Sequence, residues 1–149
     1  MLSELKLFFE DNSIATHAAS SISNRRTIAL SVAGQHFTFT KIDGKNKIQE
    51  GAPSAPDFEF TLPESVVKEL VNRKFASAAE VGLFLFEHIF ASDPAIKVGV
   101  RLNAGILTLV TQGYFGVLAT GGTEIAAYLG KRGFSGMGKI KDALSRLKK

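Results

Sequence analysis

The spacing of apolar and polar positions changes several times along the chain, and each change marks an element. Between Ser3 and Ile22, the residues Leu5, Phe8, Phe9, Ala15, Ala19 and Ile22 recur at helical spacing with polar residues between them. This predicts an amphipathic first helix with Ser3 as its cap. From Ile28 the period becomes two. Ile28, Leu30 and Val32 alternate with Ala29 and Ser31, Ala33-Gly34-Gln35 forms a turn, and Phe37 and Phe39 alternate with His36, Thr38 and Thr40. Asp43-Gly44 signals a second tight turn into a short strand near Lys47 to Gln49. Gly51 to Pro56, GAPSAP, reads as a loop, after which Phe58, Phe60 and Leu62 share one face of a further strand. The first half is therefore expected to be a helix followed by about four antiparallel strands.

The second half reads as mostly helical. Thr61-x-x-Glu64 and Ser77-x-x-Glu80 match capping boxes and predict helices near 62–73 and 78–91. The second of these helices places Val81, Phe84, Leu85, His88 and Ile89 on one stripe. Leu83, Phe86 and Phe90 widen its apolar surface beyond what a single core contact needs. Asp93-Pro94 stops it, and Ile96, Val98 and Val100 alternate with Lys97, Gly99 and Arg101 as a strand.

Leu102 to Thr123 then runs for twenty-two residues without a formal charge, and the rest of the chain is expected to organise around it. The stretch matches the roughly 20 residues of a membrane span in length, but five glycines and several Thr, Asn and Gln make it too polar for one. Periodicity leaves residues 104–120 open to helix or strand, and Asn103 as a cap tips the reading to helix. Gly121-Gly122 ends this segment, Thr123 caps a short helix through Tyr128 and Leu129, and Gly133 to Gly138 forms a joint. The last piece has Ile140, Leu144 and Leu147 on one face among basic residues. The organisation is one domain over 1–133 and a basic amphipathic extension over 134–149.

Composition sharpens this picture in three ways. Twelve Phe against two Tyr and no Trp supply bulky apolar surface without a polar handle, suited equally to a core or to the wall of a lipid pocket. The lack of Cys excludes disulfides, a thiol nucleophile and thiolate metal sites. The net charge of +4 is unevenly placed: seven Lys or Arg and one acid lie from Lys131 onward, leaving residues 1 to 130 slightly acidic. A basic end on an acidic body points to transient docking on an anionic membrane surface, with Lys139, Lys141, Arg146, Lys148 and Lys149 as contacts. Nucleic acid is not an expected partner, because no strand interleaves aromatics with Lys or Arg. The N-terminus lacks the basic and apolar regions of a signal peptide, so a cytoplasmic location is expected.

Candidate chemistry is sparse. Gly133 to Lys139, GFSGMGK, imitates a phosphate-binding loop, but Ile140 stands where a Ser or Thr must reach a metal ion. His17, His36 and His88 form no pair at ligand spacing, although His88 lies on the apolar stripe and could orient a polar ligand head. There is no Gly-x-Ser-x-Gly elbow. Asp57 and Glu59 alternate with Phe58 and Phe60, which makes them the solvent face of a strand rather than a general acid and base. No catalytic residue, cofactor or metal is expected, and the chain reads as a non-enzyme.

The order of elements, with Pro56-Asp57-Phe58-Glu59-Phe60-Thr61-Leu62 entering a helix and Ile96-Lys97-Val98-Gly99-Val100-Arg101-Leu102 entering an apolar segment, resembles the sterol carrier protein type 2 family over roughly residues 1 to 120. The longer second helix, the longer apolar segment and the basic extension depart from that pattern. The resemblance implies an α+β fold with about five mainly antiparallel strands, helices covering one face, and an apolar cavity between. It further implies non-enzymatic binding or transfer of a lipid or other apolar small molecule: a sterol, acyl chain, quinone or phospholipid tail. Phe84, Phe86, Phe90, Ile106, Leu109, Phe115 and Leu118 are the expected wall. The competing expectation is a protein-interaction or homo-oligomerisation module that buries the same surface.

Overall fold

The structure is a computed structural model and describes residues 1–133. It has the α+β fold expected. Five strands, β1 (Thr27–Val32), β2 (Gln35–Ile42), β3 (Lys45–Glu50), β4 (Phe58–Leu62) and β5 (Gly99–Leu102), form one sheet in the order β3-β2-β1-β4-β5. Two hairpins build its first half. At both turns two successive residues take positive φ, 50° and 79° at Ala33-Gly34 and 52° and 77° at Asp43-Gly44, the twist that closes a two-residue hairpin. The expected run of antiparallel strands is corrected at β4. This strand pairs parallel with β1, Ile28 opposite Phe58 and Val32 opposite Leu62.

The loop Gly51–Pro56 makes that pairing attainable by carrying the chain across the outer face of the sheet. The Thr38 hydroxyl donates to the Gly51 carbonyl at 2.8 Å, and the Asp57 N–H donates to the Thr27 carbonyl at 2.8 Å. Thr38 and Thr40 are both buried on this face, the Thr40 hydroxyl donating to the Arg26 carbonyl at 2.8 Å. Leu30, Val32, Phe37, Phe39, Ile48, Leu62 and Leu102 point the other way, into a single core.

Seven helices accompany the sheet among the described residues: α1 (Leu2–Lys6), α2 (Ser13–Ala18), α3 (Glu64–Asn72), α4 (Ala78–Ile89), α5 (Ile106–Thr111), α6 (Tyr114–Thr120) and α7 (Gly122–Lys131). The first predicted helix is broken. A π-helical turn over Leu7–Asp11 follows α1, and Asn12 restarts the chain by accepting from the N–H groups of Ile14 and Ala15. The wider turn brings the adjacent Phe8 and Phe9 together, rings 5.0 Å apart, with Phe9 reaching Phe39 of the sheet. Ser3 lies inside the first turn instead of capping it.

The two capping boxes fare differently. Ser77 accepts from the Glu80 N–H at 3.3 Å, while the Glu80 carboxylate reaches back to the Ala76 N–H. Thr61 is held in the sheet opposite Ser31 and Gly99, so Pro63 takes the cap position of α3 without a side-chain bond. The strand expected from Ile96 begins only at Gly99, because Lys97 turns back to donate to the carbonyls of Ile89 and Ala91 at the end of α4. Thr123 falls in the first turn of α7, whose cap position is Gly121.

The uncharged block resolves as helix, but in two pieces. Gly113, at φ 86°, turns the chain between α5 and α6, and a Cβ there would overlap the Ser21 carbonyl oxygen. Asn103 does not cap α5; its side-chain amide donates to Glu59 at 2.8 Å. No helix among the described residues is long and apolar enough to cross a membrane.

Candidate functional site

The inner face of the sheet is covered unevenly. Over β2 and β3 it is sealed, with Phe37, Phe39 and Ile48 at 3, 4 and 1% exposure beneath α1 and the π-helical turn. Polar tethers close that half. Lys41 donates to the Ala19 carbonyl at 3.1 Å, Asn46 donates to the Phe9 carbonyl at 2.9 Å, and Glu10 accepts the Ile48 N–H at 2.8 Å. Burial lowers the Lys41 pKa from its ordinary value.

Over β4 and β5 the covering is looser. Phe58, Phe60 and Val100 are only half-buried, as is Ile28 on β1. Leu85 and Ile89 of α4, Ile106 of α5, and Phe115 and Val117 of α6 are half-buried against the same core. These side chains make up the incompletely covered apolar part of the core, a seam whose sheet and helix sides meet at Phe58 and Tyr114. Its floor is the Phe58–Phe60 pair, stacked 5.9 Å apart.

A polar latch closes the seam at the start of β4. Asp57, nearly buried, accepts from the Arg26 Nε at 2.8 Å and again from an Arg26 terminal nitrogen, and from the Tyr114 hydroxyl at 2.6 Å. Its carbonyl accepts the N–H groups of Asn103 and Ala104. One residue thus ties β1, β4, the end of β5 and the start of α6, and the Tyr114 ring lies edge-on to Phe58 at 5.2 Å. Burial, and then the bond to Asp57, push the Tyr114 hydroxyl well above its usual pKa, while the bond to Asp57 also raises that of Arg26. The expectation that Asp57 faces solvent is corrected: the carboxylate turns inward because Arg26 and Tyr114 satisfy it there. Glu59 does lie toward solvent, beside Arg101 at 3.5 Å.

The seven expected wall residues divide into three settings. Phe84 and Leu109 are fully buried core residues, Phe84 against Phe75 at 5.6 Å. Ile106 and Phe115 are half-buried against the core. Phe86, Phe90 and Leu118 are half-buried, and the first two run along α7. Phe86 stacks on Tyr128 at 6.2 Å, and the Arg132 guanidinium sits over the Phe90 and Tyr128 rings at 4.9 and 5.1 Å. A Cβ on Gly82 would strike Ile125, so α4 and α7 lie closely side by side. Much of the surplus width of the α4 stripe therefore meets α7, a partner whose pairing the stripe alone does not indicate. Phe58, Phe60, Val100 and Tyr114 are not among the expected wall residues, although the alternation at Phe58 and Phe60 signals an apolar strand face. Lys139, Lys141, Arg146, Lys148 and Lys149, the boundary at 134 and all but the first residue of the loop-like Gly133–Lys139 lie outside the described residues.

Among the described residues are two clefts. One, about 650 Å³, lies on the outer sheet face, where Ala29 and Ser31 form a floor between the Pro53–Pro56 loop and Glu59 and Thr61. The other, about 500 Å³, lies where α2, α4 and α7 meet, beside His17, Ser77 and Thr123. Among the described residues no three His, Asp or Glu side chains gather as a metal site. His88 is oriented by its Nδ1, 2.7 Å from the Phe84 carbonyl; that oxygen can only accept, so Nδ1 carries the proton.

No protein-family model matches the chain, and no curated protein matches it. A solved structure titled "UbiJ-SCP2 Ubiquinone synthesis protein" is similar at a TM-score of 0.44 and 14% identity, over 78% of this chain and 83% of that one. At that degree of overlap, the α+β assignment stands on the strand pairing of this chain itself.

Proposed function

We propose that this chain is a non-catalytic lipid-binding domain that takes an apolar ligand into the seam over β4 and β5. The observation that carries the reading is the contrast across one continuous apolar sheet face: Phe37, Phe39 and Ile48 are sealed, whereas Phe58, Phe60 and Val100 keep part of their surface exposed, and Leu85, Ile106 and Phe115 are likewise only half-buried against the same core. Apolar surface gains about 25 cal/mol for each Å² removed from water, whatever covers it, so an acyl chain, sterol, quinone or phospholipid tail would be held with little discrimination. Binding of this kind needs no charged or nucleophilic group in the seam. The wall proposed is Phe58, Phe60, Leu85, Ile106, Phe115 and Val117, with Tyr114 and Asp57 closing one end.

Native mass spectrometry of the full chain, followed by organic extraction and lipid analysis, tests this reading. A stoichiometric adduct that extracts as lipid is expected, and Phe115→Asp should lose it while staying folded. A bare mass, with no uptake of any offered lipid, overturns the reading.

A further inference from the structure

The α4–α7 contact contains a polar group with no partner. The Tyr128 hydroxyl is buried, yet no described residue lies within hydrogen-bonding distance of it. Buried hydroxyls are almost always bonded, and leaving one unsatisfied costs roughly 1 to 3 kcal/mol, so an exception calls for a partner, an ordered water or a ligand. Beside it, the Arg132 guanidinium lies over the Tyr128 and Phe90 rings, and no described carboxylate or carbonyl accepts from its N–H groups. A guanidinium offers only donors, and a phenol most readily donates to an anion, so both groups call for the same chemistry.

The position suits the end of a ligand rather than its middle. Phe86 and Ile89 are neighbours at i, i+3 on α4, so the strip that meets Tyr128 and Arg132 (Phe86, Phe90) adjoins the strip half-buried against the core (Leu85, Ile89). A chain lying in the seam can pass this boundary and bring its terminal group to Tyr128. Resting on the lipid-binding reading above, we infer that the ligand carries an anionic acceptor head, a carboxylate or phosphate, received by the Tyr128 hydroxyl and the Arg132 guanidinium. The head group supplies orientation, which the seam's apolar surface cannot.

The test uses the full chain and compares the affinity for palmitate with that for hexadecane, both delivered from cyclodextrin, in wild type, Tyr128→Phe and Arg132→Gln. Hexadecyl phosphate, run in parallel, separates the two head chemistries. Tyr128→Phe removes one oxygen from an otherwise unchanged ring. It should lower the palmitate-to-hexadecane ratio about tenfold, the weight of a hydrogen bond to a charged group. Arg132→Gln should lower it about two- to fivefold, as befits an exposed charge. A ratio unchanged in both variants, with wild type binding both probes, would show that the hydroxyl holds an ordered water only, and the inference falls while the lipid-binding reading survives. Wild type that binds neither probe sinks both.

Discussion

The two halves of the inner sheet face are made of similar residues and end up differently. Over β2 and β3, Phe37, Phe39 and Ile48 disappear beneath the N-terminal helices. Over β4 and β5, Phe58, Phe60 and Val100 remain half in view. The difference lies in how the covering is fixed. The sealed half is pinned by side chains that bond to backbone: Lys41, Asn46 and Glu10 each hold a fixed point, so the aromatic rings between them have one arrangement. The looser half is tied at one end by Asp57 and otherwise meets two short helices joined at Gly113. Apolar content alone does not distinguish a sealed face from a loosely covered one; the polar tethers around it do.

Three experiments would break or sharpen this comparison. The largest effect is expected in the sealed half, where Phe39→Ala removes a buried ring and its contact with Phe9. The loss should be about 3 to 5 kcal/mol in urea unfolding, and much less would mean that the half is not rigidly packed.

Next is the latch. Tyr114→Phe gives up a bond to a buried carboxylate and should cost about 1.5 to 3 kcal/mol. Its pH signature is distinctive. The folded state holds the Tyr114 proton above the pKa of 10.0 that applies when unfolded, so the unfolded chain binds fewer protons at alkaline pH. The Tyr114 contribution is full below pH 10.0 and is lost as pH rises above it, and the phenylalanine variant should show a shallower alkaline decline. An identical slope in both proteins would detach Tyr114 from Asp57.

Smallest in stability is Phe60→Ala in the looser half, expected at about 1 to 2 kcal/mol because part of the ring is already exposed. Its effect on lipid uptake should nonetheless be severalfold. A stability loss as large as that of Phe39→Ala, with uptake unaltered, would make the two halves equivalent.

Much of the fold was legible because local chemistry dictated it. The hairpins follow from Asp43-Gly44 and Ala33-Gly34, the Ser77 cap from its box, and the break after α4 from Asp93-Pro94. What escaped depends on contacts distant in sequence. The parallel docking of β4 rests on a loop lying across the outer face, which GAPSAP does not announce. Asp57 reads as a solvent residue by alternation and is drawn inward only by Arg26 and Tyr114, which lie 31 and 57 residues away. The width of the α4 stripe is plain in the sequence, but width cannot say what will cover it, and α7 covers part of it. Of the expected wall, Ile106 and Phe115 are half-buried against the core, Phe84 and Leu109 belong to it, and Phe86 meets α7.

The bond from the Ile48 N–H to Glu10 also bears on self-association. β3 is an outer strand of the sheet, and an outer strand presents free N–H and C=O groups to which another chain's strand can add. Here the helical arm occupies one such donor with a carboxylate, and a strand approaching that flank would have to displace it. At the opposite margin, β5 offers only four residues, Gly99 and the charged Arg101 among them. Both margins therefore resist growth of the sheet into a ribbon by the addition of strands from further copies of the chain.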